Sequence, residues 1–591
     1  MNCNSAEPSL ILCNTRVDAF LLLCYNVGCF CEYERSFVVS TNSVQKKKFE
    51  TYEPASLLFT KWFLWLYSIA FFVIYPFYFE NKYFNMGEAK WNFYKAITFG
   101  TKWGNLPVPG LLMCTGVCAI WYLITLLGRG EFEFRGLWKK LSIIDKFVLI
   151  YLVFAILSCI AAPDKENVIW GYSGWYMGLA AQISFVILYF LMSRFSSIST
   201  VMKVCAFAAT GVVALIAVLN RFGLDPLGMY EGVDIRSGEA HAFLTTMGNS
   251  TWYGCLLGIM LAMGIGLFWY SEKTWVRILS AIFCFICFMS AVTSDSDAIF
   301  AGIFAMYSAL WFFSFSEARK FVNFWEAIAL CLLAFRFTGI LQKAFPDASI
   351  TTGSISLFMS QNAMLWIPTI AAALLSILLY RSNLKGKVHI EKITWLKHLY
   401  FIVLGAGLFL FILFLVLNST GKLPSFVKGS DNNYLLFNDY WGNNRGGIWR
   451  VSLGTFFKSF ADHPLNALFG WGPDSMVTGI YTYYSEDLAN IVSAASMGSA
   501  AVLTNAHNEW LNLLLCTGLT GGVAYLGIFL SAVRRFTHHV KEYSEVSTIV
   551  IAVITYLAFD FFCYQQIIST PLIFILIGLG EFYITGRDVE E

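Results

Sequence analysis

Charge is scarce in this sequence. Asp, Glu, Lys and Arg supply 13% of its 591 residues, against roughly 25% in a soluble domain, while 57% are apolar and 17% aromatic. That scarcity excludes a soluble globular chain. Neither sign is in large excess: the net charge is +2, so no global field points to nucleic acid. Cysteines in long polar loops are also missing. Cys114, Cys118, Cys159, Cys205, Cys255, Cys284, Cys287, Cys331, Cys516 and Cys563 lie inside or at the ends of apolar segments, and none falls in a long polar loop. A disulfide scaffold is therefore not expected. Cys3, Cys13, Cys24, Cys29 and Cys31 crowd the N-terminus without a histidine or a C-x-x-C pair, which gives a zinc site little support. Arg16 and Asp18 interrupt this stretch and no small-residue cleavage site follows it, so it fits neither signal peptide nor span. Residues 1–55 read as a cytoplasmic leader, either loose chain or the result of a start codon assigned too far upstream.

What is present is a series of apolar blocks of about 16 to 25 residues, the length that crosses a hydrocarbon layer as a helix. They fall near 57–79, 106–128, 147–162, 176–193, 203–220, 250–270, 276–293, 297–316, 321–335, 362–380, 398–417, 509–533, 547–563 and 569–585. The predicted fold is all-α, a polytopic transmembrane bundle of about fourteen spans. Eleven spans occupy 56–417, a long loop 418–508, and three spans with a short cytoplasmic tail 509–591. Lys and Arg concentrate in 129–146 (Arg129, Arg135, Lys139, Lys140, Lys146), 381–397 and 534–546. This sets those segments and both termini in the cytoplasm. The opposite segments, 80–105, 221–249, 336–361 and 418–508, face outward.

A structureless loop as long as 418–508 is uncommon, and such loops are either functional or disordered. Its sequence favours order. Trp449, Leu453, Phe456 and Phe460 share one helical face opposite Ser452, Lys458 and Ser459, and the pattern stops before His463-Pro464. An amphipathic helix lying on the membrane surface, within a loop of short helices, is expected. No internal repeat or nucleotide fold is visible. Asp295-Ser296-Asp297 matches a metal-holding D-x-D, but two carboxylates are too few ligands and helix capping between two tightly linked spans explains them. No metal site is expected.

The loop runs into Asn505-Ala506-His507-Asn508-Glu509-Trp510-Leu511-Asn512 and then a span with Gly518 and Gly521. On one continuous helix Gly518 and Gly521 would fall about 20° and 40° from His507, giving a seam of close helix approach capped by the histidine. His507 would occupy the first turn, where the helix dipole disfavours imidazolium and attracts anions. A neutral base beside a phosphate follows. Outward loops add Arg236 and Arg445, and guanidinium grips phosphate oxygens in a bidentate way. For Arg450 and Arg221 the residues alone favour a solvated surface role.

His507-Asn508, nine residues, then Gly518-Leu519-Thr520-Gly521 resembles the histidine-amide, G-x-x-G signature of the O-antigen ligase and O-antigen polymerase C-terminal family of bacterial membrane glycan transferases. Arg445 to Trp449, then His463-Pro464-Leu465 and Phe469-Gly470-Trp471-Gly472-Pro473, resembles that family's R-x-x-x-W and HPL…GxGP run. Met247-Gly248-Asn249-Ser250 is similar to its G-N-P-N segment, and Asp560 to a late motif. Where relatives carry Ser-Arg-Gly, this chain has Ser294-Asp295-Ser296-Asp297.

The resemblance implies a GT-C-like transferase of the bacterial cytoplasmic membrane with its site on the extracytoplasmic face. It would move a glycan from an undecaprenyl-pyrophosphate carrier to an acceptor hydroxyl on a lipid or polysaccharide, without metal or nucleotide cofactor. Catalysis would fall to His507, Arg445 and Arg236, and substrate binding to Asn508, Trp449, Arg450, His463 and Asn249. Ligase and polymerase of this family share that chemistry and the sequence does not separate them. A secondary transporter or flippase is the rival from another class, set against binding residues that cluster in outer loops and not at the midplane.

Overall fold

Backbone in hydrocarbon must satisfy its own N–H and C=O groups, so apolar blocks of this length fold as helices. In the computed structural model, which describes residues 53–82, 86–132, 136–196, 198–424, 434–494, 503 and 505–586, they do so throughout. Besides shorter connecting helices such as Met86–Thr98 and Ser354–Gln361, the apolar helices before the long loop are Ala55–Phe77 (α1), Leu111–Gly128 (α2), Ile143–Ala161 (α3), Leu179–Phe195 (α4), Thr200–Arg221 (α5), Ser250–Tyr270 (α6), Thr274–Thr293 (α7), Ala298–Ser314 (α8), Ala318–Ala344 (α9), Ala363–Leu384 (α10) and Trp395–Ser419 (α11). The loop contains Trp441–Asp462 (α12), Pro464–Phe469 (α13) and Met476–Ala494 (α14). Glu509–Cys516 (α15), Gly518–His539 (α16), Ser544–Phe559 (α17) and Thr570–Thr585 (α18) complete the chain.

Among the described residues nine helices are long and apolar enough to span a bilayer, α1, α2, α3, α5, α6, α7, α9, α10 and α11, and α4, α8, α17 and α18 are shorter apolar ones. With the α15–α16 pair, each expected span has its helix. The protein is a polytopic helical membrane protein. The expected leader lies outside the described residues except for its last three. Strand structure among the described residues is confined to two short antiparallel pairs, Gly100–Trp103 with Leu106–Pro109 and Phe243–Leu244 with Gly248–Asn249.

Helices α4, α6, α17 and α18 form the buried centre, whereas α11 has almost no buried residue. The ends of α1, α3, α5, α7, α9, α11 and α17 and the starts of the helices that follow them meet at one end of the bundle. Arg221 at the end of α5 shows how tightly. Expected to be solvated, it is 2% exposed, donating to the carbonyls of Thr293 (3.0 Å), Ser294 (3.2 Å) and His241 (3.1 Å) and to His241 Nδ1 at 2.9 Å. His241 Nε2 reaches Asp295 Oδ2 at 2.9 Å, and that carboxylate accepts the N–H groups of Thr352 and Gly353. An arginine used as a knot between loops has acceptors for its donors, which is why burial is tolerated here.

Two expectations about the last third of the chain are corrected. The helix after His507 is not continuous: it breaks between Cys516 and Gly518, and Gly518 takes φ +70°. The freed carbonyls are satisfied by the loop after α13, Leu515 O by Trp471 N (2.8 Å) and Cys516 O by Gly472 N (3.1 Å), with Ser158 Oγ of α3 also donating to Cys516 O (2.5 Å). The two glycine motifs therefore interlock. A Cβ on Gly470 would stand 2.2 Å from Cys516 O, and one on Gly518 2.4 Å from Leu468 C and O. His507 and the glycines share no helix face, and His507 precedes α15 with φ +48°.

The second concerns α12. Its buried face includes Ser452 and Ser459, each 1% exposed, along with Trp449 and Phe456, while Leu453 and Phe460 are 39% and 45% exposed. Ser459 Oγ bonds the Thr455 carbonyl one turn back, so a small hydroxyl can be buried without an orphan donor. Leu453, Phe457 and Phe460 are left pointing outward, as an interfacial helix requires.

Gly518→Ala combines a left-handed backbone with a Cβ against main chain, and is expected to destabilise the protein by about 1–3 kcal/mol. The measurement is the thermal unfolding midpoint in detergent; an unchanged midpoint would show that the break does not need glycine.

Candidate functional site

Arg445 and Trp449 lie one turn apart on α12 and so project from the same side. The start of the helix is pressed onto the turn before it: Gly447 N donates to Asp439 O at 3.0 Å, and a Cβ on Gly446 would stand 1.9 Å from Asn438 O. From this fixed base the Trp449 indole N–H donates to the carbonyl of Ala506 at 3.1 Å, and its ring packs against Phe561 and Phe562. The neighbouring backbone is held too. His507 N donates to Asn505 Oδ1 (3.1 Å), and Asn508 Oδ1 accepts from Leu511 N (3.0 Å) as the cap of α15. Glu509 N donates to Asp560 O at 3.0 Å. These bonds hold His507 in a left-handed conformation that a non-glycine residue rarely adopts.

The His507 ring meets Tyr564 edge-on at 5.1 Å. Tyr564 Oη accepts from Trp252 Nε1 at 2.7 Å, and Trp175 packs against both rings. Burial, then the positive charge of Arg445, push the His507 pKa down to about 3. The imidazole is neutral at any physiological pH. Arg445 donates Nη1 to Gly442 O at 2.8 Å, while its Nε is buried without a partner. Burial lowers its pKa, opposed by Tyr434, Cys563, Asp297 and Tyr564 nearby, but so strong a base as guanidinium keeps its charge. A neutral base therefore stands in the field of a cation whose buried Nε–H has no partner, an arrangement suited to an anion and a hydroxyl together.

Of the residues expected at the site, the structure brings together His507, Arg445 and Trp449. Asn508 and Asn249 act as helix caps, Asn249 Oδ1 accepting from Thr251 N at 2.8 Å. Arg450 is exposed and paired with Asp439 (2.9 Å) and Asp487 (3.4 Å). His463 sits at the α12–α13 joint against Trp471 and Tyr483. Arg236 is exposed in the loop after α5 and donates to the Asp347 carbonyl. The D-x-D divides between partners: Asp295 takes the knot described above and Asp297 accepts from Tyr434 Oη at 2.8 Å. Among the described residues no cluster of metal-ligating side chains forms.

Tyr564, Trp252, Trp175 and Tyr434 were not anticipated. They come from segments distant in sequence, and only the crowding of aromatics near span ends hinted at them. Asp560, noted only through the resemblance, faces Glu509, and both are fully buried.

Fold and site together define a polytopic helical membrane protein in which Arg445, Trp449 and His507 are brought together. A family model described as O-antigen ligase matches residues 348–526, which include Arg445, Trp449, His507 and the interlocked glycines, in line with the resemblance read from those motifs. Comparison with curated proteins gives no match.

The depressed pKa has a sign that can be tested. His507 titrates near 6.5 when unfolded and at about 3 when folded, so only the unfolded chain gains a proton between these values, and stability falls as pH drops below about 6.5. His507→Gln should flatten that part of the curve of unfolding midpoint against pH. Parallel curves for the two proteins would contradict an imidazole that the fold keeps neutral.

Proposed function

We propose that the chain transfers a glycan from a polyprenyl-pyrophosphate carrier to an acceptor hydroxyl, an O-antigen ligase-like reaction on the extracytoplasmic face of the bacterial cytoplasmic membrane. The observation that carries this reading is the neutral His507 beside the unpartnered Nε of Arg445, within the segment matched by the O-antigen ligase family model. His507 accepts the proton of the acceptor hydroxyl as its oxygen attacks the anomeric carbon. The bond from that carbon to the pyrophosphate oxygen breaks, and the leaving charge is taken up by Arg445, with Arg236 gripping the phosphates from the outer loop. In-line attack inverts the anomeric centre. Guanidinium does here what a metal ion does in other phosphate chemistry, so the proposed reaction is metal-independent. Trp449, Asn508 and Asn249 act as positioning residues.

The same geometry serves a polymerase that adds the glycan to another repeat unit. Cells lacking the protein distinguish the two, since ligase loss strands long chains on the carrier and polymerase loss strands single units.

In a reconstituted assay, His507→Ala and Arg445→Ala should each lower transfer by about 10²–10³-fold in protein that remains folded. Arg236→Ala should raise the donor KM. Full transfer by either of the first two variants would sink the mechanism, and transport without transfer would favour a carrier function.

A further inference from the structure

The turn 171–178 is held in a form that a free loop would not keep. Three of its residues are left-handed, Gly171 (φ +86°), Gly174 (φ +92°) and Tyr176 (φ +58°), and a tyrosine in that region costs of order 1 kcal/mol. Asp474, 4% exposed, reaches across from the loop after α13 and accepts the N–H groups of Tyr172 (2.8 Å) and Met177 (3.2 Å) on one oxygen. The Tyr176 ring is stacked back on Trp91 at 4.9 Å and 3°. Trp175 is the indole that the turn presents, part-exposed beside the exposed Ser173. The edges of Trp252 and Tyr564 fix its plane, with ring centroids at 5.3 and 4.8 Å and interplanar angles of 77° and 80°. Those two neighbours are buried whereas Trp175 is half-exposed. Tyr564 is also the ring that touches His507.

We propose that Trp175 is a stacking platform for a pyranose ring of the acceptor glycan, seating the sugar whose hydroxyl meets His507. A pyranose has an apolar C–H face between equatorial hydroxyls, and a rigid, part-exposed indole covers such a face without needing a charge partner. The acceptor is favoured over the donor because its hydroxyl must come within hydrogen-bond reach of His507, one ring away from Trp175 through Tyr564. The pyrophosphate, by contrast, is drawn to Arg445. Asp474 is then a positioning residue for the turn. This inference rests on the transferase reading but makes a separate claim, that sugar touches this indole.

The test uses the full chain in nanodiscs, labelled with fluorotryptophan, with the fluorine resonance lost in Trp175→Phe assigned to Trp175. The probe is the acceptor's own oligosaccharide, released by mild acid from the acceptor glycolipid that stays unmodified in cells lacking the protein. The expected result is that this resonance shifts on titration, that Trp175→Ala weakens binding and raises the acceptor KM by about tenfold with the donor KM unchanged, and that Trp175→Phe largely restores both. Should Trp175→Ala not fold, the wild-type titration still decides. Glycan binding that leaves the resonance unmoved, no binding at all, or a folded Trp175→Ala with unaltered acceptor KM would overturn the proposal. Loss of transfer in His507→Ala together with an indifferent Trp175 sinks only the platform. A shifting Trp175 resonance in a protein that transfers nothing sinks only the transferase reading.

Discussion

Carbonyl groups released inside a membrane protein have to be satisfied by the protein itself, and the break after Cys516 makes that requirement the organising constraint of the site end. The acceptors at Leu515 and Cys516 are met by the backbone of Trp471 and Gly472, which fixes the loop after α13 against the bundle. Asp474 follows two residues later and fastens the 171–178 turn. On the other side of the break, α15 is a separate short helix, capped by Asn508 and tied to Asp560. His507 thus stands on a fixed turn between α12 and the 560–569 connection, and is not carried on a long helix.

Electrostatics then follow from enclosure. Imidazole and guanidinium side by side would repel if both were charged, and burial resolves the conflict by removing the proton from the weaker base. Arg445 keeps its charge and His507 keeps its lone pair. The knot of Arg221, His241 and Asp295 shows the contrasting case on the same side of the bundle: there both ring nitrogens of the histidine have partners and the arginine donors are met by carbonyls. That cluster holds loops together, whereas the His507 ring packs edge-on against Tyr564.

The spans could be read directly because apolar block length has one solution in a bilayer, and all fourteen expected positions carry helix. That Arg445, Trp449 and His507 come together was legible because their motifs are short and ordered. Where the sequence misled, a local pattern was overruled by a tertiary contact. His507, Gly518 and Gly521 fit one helical face, yet Gly518 serves a break whose partner loop lies some fifty residues earlier. Ser452 and Ser459 looked like a wet face until α12 was packed against the rest of the loop, and Arg221 looked solvated until three loop carbonyls surrounded it. Trp175, Trp252 and Tyr564 belong to segments that only the folded bundle brings together.

The central claim is that Arg445 and His507 form one reaction centre. Its most direct test is a cryo-electron microscopy structure of the full chain with a non-transferable polyprenyl-pyrophosphate glycan. The account predicts a pyrophosphate oxygen within about 3 Å of Arg445 Nε, with the first sugar facing the His507 ring. A pyrophosphate bound away from Arg445, with His507 still enclosed and unengaged, would contradict it.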